Sequence, residues 1–350
     1  MSERLAPEQA DSLPDIPEPA ENIHLAGHDD AALWFATAWR TGKMHHAALL
    51  TGPQGIGKAT LAYHLAFHML TERDRPNAPA SLVRPDPSHP VWRQLASGAH
   101  PAVLHLTRPP RETGAGYKNF ITVDEIRRLG HFLSMTTHDG SWRIVIVDAA
   151  EQMNAAAANA LLKNLEEPPR DTLFILVSHS PGRLLPTIRS RCQVHRLRPL
   201  GERDLMAALS DLGEEAPDEP AARRRLAALA EGSVRNALLL TRHGGLEVAE
   251  AVDRILDQPR FDTGEAIRIA QALAGRDAEI ALDLFNRHVA DRLGRDATEA
   301  ARAGNTAAAN RLAGLWEETR QTIVERETYN LDKRQHVSGL LHRLHAAVHR

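Results

Sequence analysis

A chain of 350 residues that is 43% hydrophobic and 25% charged holds enough apolar material for two or three packed domains of ordinary globular composition. Its formal net charge of −3 excludes a global basic footprint, so any contact with nucleic acid has to be local or shared with partners. A single cysteine, Cys192, excludes an intramolecular disulfide and a cysteine-rich zinc site, and the 19 histidines are scattered apart from His45 and His46, for which packing or solvent exposure is expected over a metal role.

No apolar run approaches the ~20 residues of a membrane span, and the chain opens without a signal-type segment, so no membrane partner and a reducing cytoplasm are expected. Residues 1–22 carry Pro7, Pro14, Pro17 and Pro19 and six acids against one arginine, which predicts a disordered tail, since so few apolar groups cannot offset the entropy of ordering. From Ile23 the pattern turns helical, with Leu33, Trp34 and Ala38 on one side, and Gly42 stops it. The apolar run 47–50 predicts a strand. It leads into Gly52-Pro53-Gln54-Gly55-Ile56-Gly57-Lys58, and an alanine- and leucine-rich helical pattern follows from Ala59.

Strand, glycine loop and helix in that order make a phosphate cradle. The glycines let the backbone curl so that its N–H groups and the helix N-terminus face one phosphate, and Lys58 can reach the terminal ones. The glycine-lysine spacing alone is a weak signal, which the strand and helix around it strengthen. A Ser or Thr is wanted after the lysine, because its hydroxyl holds the magnesium of a bound nucleotide; here Ala59 stands there and Thr60 comes one residue late.

Residues 71–101 hold six prolines and no cysteine, an irregular insertion with one helical turn around Trp92 and Leu95. A strand is expected at 103–106 and a flexible loop at 109–119. Thr122-Val123-Asp124-Glu125 reads as a capping box before a helix with Ile126, Leu129 and Leu133 on one face. The β-branched run 144–147 is of the kind found in strands covered on both faces, and it ends on Asp148, where an acid can hold magnesium. Asn154 is placed to cap a helix whose Ala158, Leu161, Leu162 and Leu165 share a face, and Glu166-Glu167-Pro168-Pro169 breaks it. Strands at 173–177 and 194–197 complete a set of five. Their alternation with helices predicts an α/β fold with a parallel five-stranded sheet and ligand loops at the strand carboxyl ends.

Pro199-Leu200-Gly201 marks a boundary, beyond which the text is helical throughout. A small unit over 202–245 holds Ser233 as a plausible cap, Gly244-Gly245 reads as a hinge, and 248–350 gives four or five amphipathic helices. The Arg223-Arg224-Arg225 run reads as a solvated helix face.

With the cradle, the acid-ended strand, the Leu161-Leu162-Lys163-Asn164-Leu165-Glu166-Glu167-Pro168-Pro169 run and Ser190-Arg191-Cys192 in hand, the chain resembles the clamp-loader branch of the AAA+ ATPases. The resemblance is fullest over 22–192, weaker around Arg235, and rests beyond that on Tyr329-Asn330-Leu331-Asp332-Lys333-Arg334-Gln335. It implies an AAA+ P-loop domain over 23–199, a helical lid over 200–246 and an all-α collar over 247–350. It also implies a mechanical role in a hetero-oligomeric ring of motor and delta-type clamp-loader subunits that opens a sliding clamp and places it on primed DNA.

On that resemblance Gly52, Pro53, Gly55, Ile56, Gly57, Lys58, Ala59, Thr60, Asp148, Ser178 and Arg235 are the expected nucleotide-binding positions, and Arg191 an arginine finger acting on a neighbour's nucleotide. Local alternatives stand beside three of these: Ser178, with His179, as a strand-end cap, Arg235 as a surface arginine, and Arg191 as the partner of Glu166 or Glu167. Three departures lower the expected activity. Ala59 lacks the metal-binding hydroxyl, the acid that should follow Asp148 is displaced to Glu151, and the four-cysteine zinc module of many relatives has no ligands here. ATP can still be a ligand of the intact cradle, and the departures imply magnesium weakly held or absent, no zinc, and little or no hydrolysis by the chain itself. Alternative readings are an active AAA+ ATPase such as a motor subunit or helicase loader, and a small-molecule P-loop kinase.

Overall fold

In the amino-terminal half the apolar runs 47–50, 144–147 and 173–177 are short and unbroken, which suits strands covered on both faces, and they form one sheet with two more mixed segments. The computed structural model describes residues 4–135, 142–275 and 278–349. Strands β1 (Ala47–Thr51), β2 (Val103–Leu106), β3 (Arg143–Asp148), β4 (Thr172–Ser178) and β5 (Gln193–Arg196) lie in the order β2-β3-β4-β1-β5, every pair parallel. The register sets Thr51 opposite Ser178 and Asp148 opposite Val177.

Because side chains alternate across a strand, each run feeds two cores. Ala48, Leu50, Ile144, Ile146, Leu173 and Ile175 join α1 (Asp29–Arg40), α2 (Lys58–Thr71) and α3 (Pro90–Ala96) on one face. Ala47, Leu49, Val145, Val147, Phe174 and Leu176 pack on the other against α4 (Val123–Ser134), α5 (Ala155–Glu166) and α6 (Pro186–Arg189). Each fully buried Leu, Ile, Val or Phe of this kind contributes roughly 1.5–3 kcal/mol over its exposed state. The single turn expected around Trp92 and Leu95 is α3, and both side chains are buried in the first core.

Two local expectations give way, one to packing and one to a side-chain pair. In α1 the buried side is Phe35, Ala36, Ala38 and Trp39, while Leu33 is 53% and Trp34 36% exposed, because Trp39 and Phe35 are the residues facing α2 and the sheet. Thr122 occupies the N-cap of α4, yet its side chain makes no capping bond, and Glu125 reaches forward to Arg128 at 2.5 Å instead of back. Residues 109–119 are tied by a bridge between Pro110 and Tyr117.

The expected disordered tail is, over its described residues, a folded strap. Its ordering comes from polar groups and small side chains, which a count of apolar residues does not register. Arg4 donates to the carbonyls of Leu13 and Ile16 at 2.9 and 2.6 Å, and the Glu21 carboxylate accepts from the amides of Leu5, Ala6 and Glu18 at 2.6, 3.2 and 3.1 Å. Ala6 and Ala20 are buried, Ala20 within the first core. Burial raises the Glu18 carboxyl above its ordinary value, against the pull of Ser12 and Arg4.

By contact the chain divides into residues 1–227 with 231–235, and residues 228–230 with 236–350. Helices α7 (Glu202–Asp211) and most of α8 (Pro220–Ala230) thus belong with the sheet, so the expected breaks at 199 and 246 do not coincide with this division. The second unit contains most of α9 (Val234–Arg242) and α10 (Gly245–Asp257), α11 (Thr263–Leu273), α12 (Glu279–Arg302), α13 (Thr306–Tyr329) and α14 (Lys333–Val348). Its core follows helical spacing: Val252, Ile255 and Leu256; Ile269, Ala270 and Leu273; Leu282, Phe285 and Val289; Val337, Leu340, Leu341 and Leu344. Gly244 takes the left-handed N-cap of α10, and Asp332 caps α14 by accepting from the Gln335 amide at 2.8 Å.

Candidate functional site

The chain leaves β1 for β2 on one side and returns to β5 on the other, so β1 sits at the point where strand order reverses and its carboxyl end opens a crevice. Residues 52–57 turn there into α2. Gly55 has φ +75°, and a Cβ on it would stand 2.3 Å from the Cβ of Arg235 and 2.6 Å from Ser233 Oγ. A Cβ on Gly52 would stand 2.6 Å from the Leu197 carbonyl, so neither position admits a side chain. The Val234 amide donates to the Gly55 carbonyl at 2.9 Å, and His28 Nε2 bonds the carbonyl of buried Ile56 at 2.6 Å. Burial, and after it the Lys58 charge, holds His28 below its ordinary pKa, against the bond to the Ile56 carbonyl.

Lys58 is 3% exposed and donates through Nζ to the loop carbonyls of Gly52, at 2.7 Å, and Pro53. Burial lowers its ammonium to about 8, opposed by Asp148 and Glu151. Asp148, at the end of β3, is pushed up to about 7 by burial and by Asp11 and Glu151, with Lys58 pulling the other way. Ala59 presents a methyl where the metal-binding hydroxyl would stand, and Thr60, about 100° further round the helix, is 7% exposed on another side of it.

The end of β4 supplies Ser178 and His179. Glu151 Oε1 accepts from the His179 and Ser180 amides at 2.8 and 3.0 Å, so this displaced acid is tied to the strand end. Ser178 Oγ, His179 Nδ1 and Glu151 Oε2 are buried without a hydrogen-bond partner, an uncommon gathering of unsatisfied polar atoms at one strand end. Arg235, against Gly55, donates to the Asp11 carbonyl of the strap.

Arg191 stands elsewhere. It lies on the turn between α6 and β5, and the register of β5 on β1 sets Gln193 opposite Ala48, at the amino end of β1. At about 3.3 Å per residue this places Arg191 roughly 15 Å along the sheet from the cradle. Its guanidinium pairs with Glu166 Oε1 at 2.6 Å and donates to the Thr187 carbonyl at 2.9 Å, so the local pairing weighed for it is formed. Beside it the Cys192 thiol is raised to about 12 by burial and packs at the edge of the second core.

The family model described as DNA polymerase III, delta subunit matches residues 27–201, which hold the whole sheet, the cradle and the arginine turn. The chain belongs to the DNA polymerase III delta subunit family. Against DNA polymerase III subunit delta' of Pseudomonas aeruginosa it is 40% identical over 65% of this chain and 66% of that one. Against subunit delta' of Escherichia coli K12 identity is 34% over 56% and 55%. Against subunit tau of the same strain it is 26% over 76% and 40%. The matches thus span between two fifths and two thirds of the relatives' own lengths. Among solved structures, a gamma subunit-related protein of Thermotoga maritima covers 90% of the chain, and the chain 99% of it, at 17% identity and a TM-score of 0.44.

In this member of the family the donor set fits a polyphosphate: two glycines that close packing fixes, Lys58, and the orphaned Ser178 hydroxyl. It fits a divalent cation poorly, since Ala59 offers no oxygen and Asp148 titrates near neutrality. Among the described residues no group of three His, Cys, Asp or Glu converges for a metal ion. In 71–101, His89 accepts from the Val91 amide and His100 from the Ala102 amide, both at 3.2 Å, which spends those rings on the backbone. No described helix is long and apolar enough to cross a membrane. Sequence reasoning passed over Asp11, Gln54 and His28 as participants. No spacing rule connects residue 11 to residue 54, and His28, the N-cap of α1, falls inside the stretch from Ile23 whose pattern reads as helical.

Proposed function

We propose that the chain is a clamp-loader subunit of the delta-prime type that works in the cytoplasm, within a hetero-oligomeric ring with motor and delta-type subunits that opens a sliding clamp on primed DNA. The cradle holds ATP through the loop amides, Lys58, Ser178 and Arg235, with Asp148 beside them and Ala59 and Thr60 lining the first turn of α2; bound nucleotide supplies phosphate charge for these donors. Hydrolysis at this site is weak or absent, because the acid beside Asp148 is held on the backbone amides of residues 179 and 180 and the metal lacks a hydroxyl ligand. Arg191 acts in trans on a nucleotide held by the adjacent subunit, for which a guanidinium, always charged and offering paired planar donors, is suited.

The observation that carries this reading is the separation of Arg191 from Lys58 at opposite ends of β1 and β5, which leaves the arginine unable to serve its own cradle. The test is reconstitution of the full chain with its sibling subunits, clamp and primed DNA, with assembly followed separately from ATP hydrolysis. Arg191→Ala is expected to leave assembly intact and to slow hydrolysis at the neighbouring site by about 1,000-fold or more, the effect of losing a trans arginine. Unchanged hydrolysis in an assembled ring refutes the trans role, and failure to co-assemble refutes the clamp-loader reading.

A further inference from the structure

The strap described above touches the phosphate loop at its middle. Gln54 Nε2, on the phosphate loop, donates to Asp11 Oδ2 at 3.2 Å, and the Arg235 guanidinium donates to the carbonyl of the same residue. The Asp11 charge also acts on Asp148 and His179, at the carboxyl ends of β3 and β4. Behind Asp11 the strap is braced at each step: Ser12 Oγ accepts from the Gln9 amide at 2.7 Å and donates to Glu18, and Arg4 pairs with Glu18 at 3.6 Å besides holding the carbonyls of residues 13 and 16. An acidic segment that a count of apolar groups leaves disordered is thus folded by polar bonds, with one carboxylate at the loop.

We propose that residues 4–21 are an internal ligand of the phosphate loop, in which Asp11 takes donors from Gln54 and Arg235 that the phosphates of a nucleotide would otherwise take. Strap and polyphosphate then exclude one another, and the cradle is free only in the fraction of molecules whose strap is released. Apparent affinity for the nucleotide falls by that fraction. This deepens the reading of the cradle as a nucleotide site and rests on it. One or two hydrogen bonds to charged groups set the size of the effect at about ten- to a hundred-fold in affinity.

The experiment titrates a fluorescent ATP analogue into three proteins, the full chain, a chain beginning at Pro19 that keeps core Ala20, and the full-length Asp11→Ala variant. Amide hydrogen exchange over residues 5–21 is followed in the full chain with and without saturating ATP. Expected are tighter binding by about ten- to a hundred-fold without the strap, a smaller gain for Asp11→Ala, and faster exchange of the strap when ATP is bound. Asp11→Ala keeps the strap's own bracing, so it reads the competition even where the shortened chain fails to fold. Equal affinities, or strap exchange unchanged while ATP is bound, overturn the proposal. Absence of binding in all three proteins, with Lys58→Ala indistinguishable from them, places the failure in the cradle itself and removes the competition with it.

Discussion

The sheet unit and the helical unit treat buried polar groups differently. At the carboxyl end of β4 three unsatisfied polar atoms, from Glu151, Ser178 and His179, stand together beside Lys58 and Asp148, whose ionisation burial shifts. In the helical unit such groups are mostly paired. Arg292 holds Asp253, Asp257 and Asp296 at 2.9 to 3.2 Å, His288 meets Asp253 at 2.8 Å, and His336 meets Asn286 at 2.9 Å. The orphaned Asn286 Nδ2 and Thr319 Oγ1 are on α12 and α13, on separate helices instead of one strand end. A cluster left unsatisfied costs stability that packing elsewhere has to offset, which is tolerable only where a ligand or partner completes it. Paired charges along helices mark a scaffold.

The sharpest test of that division is truncation of one buried ring in each unit. Phe174 and Phe285 are both fully buried, and each change to Ala is expected to cost about 3–5 kcal/mol by denaturant unfolding. Hydrogen exchange is expected to show loosening confined to the strands for Phe174→Ala and to α10–α14 for Phe285→Ala. Loosening of both units by either change breaks the comparison.

Acid separates the units next. Burial holds His64, His68, His105 and His179 of the sheet unit at about 4, and His336 of the helical unit at about 4 as well. A histidine lowered in the folded state binds fewer protons than the unfolded chain between about 4 and 6.5, so stability falls as pH drops through that window. Asp148, raised to about 7, has the opposite sign and gains stability over the same fall. From pH 7 to pH 5 the sheet unit is therefore expected to lose more, four histidines against one aspartate, on the order of 1 kcal/mol per uncompensated histidine. Unfolding at the two pH values with exchange resolved by unit checks it, and a greater loss in the helical unit contradicts it.

The smallest effect lies within the sheet unit, between two helix starts. Asn154 Oδ1 accepts from the Ala157 amide at 2.8 Å, whereas Thr122 makes no side-chain cap. Asn154→Ala is expected to cost about 1 kcal/mol. Thr122→Ala should cost clearly less in the same thermal or urea melts, and equal costs would show that the threonine hydroxyl caps α4 after all.

Local pattern determined a great deal of this protein. Strands β1, β3 and β4 were legible from unbroken apolar runs, and the phosphate loop from its glycines, because strand burial and glycine backbone freedom are properties of a few adjacent residues, whereas β5 holds a single apolar residue, Val194, which is 47% exposed. The helices of the second unit were legible from their spacing for the same reason. What pattern missed depended on contacts between distant residues. Which side of α1 is buried was decided by Trp39 and Phe35 meeting the sheet face, Arg235 by its meeting with Asp11, and Glu151 by the amides of residues 179 and 180. The strap went unread because it is ordered by Arg4, Glu18 and Glu21 bonding across up to 16 residues, polar order that composition scores as disorder. The separation of Arg191 from Lys58 likewise came from strand register, which brings residue 193 beside residue 48 and is fixed by pairing and not by either segment alone.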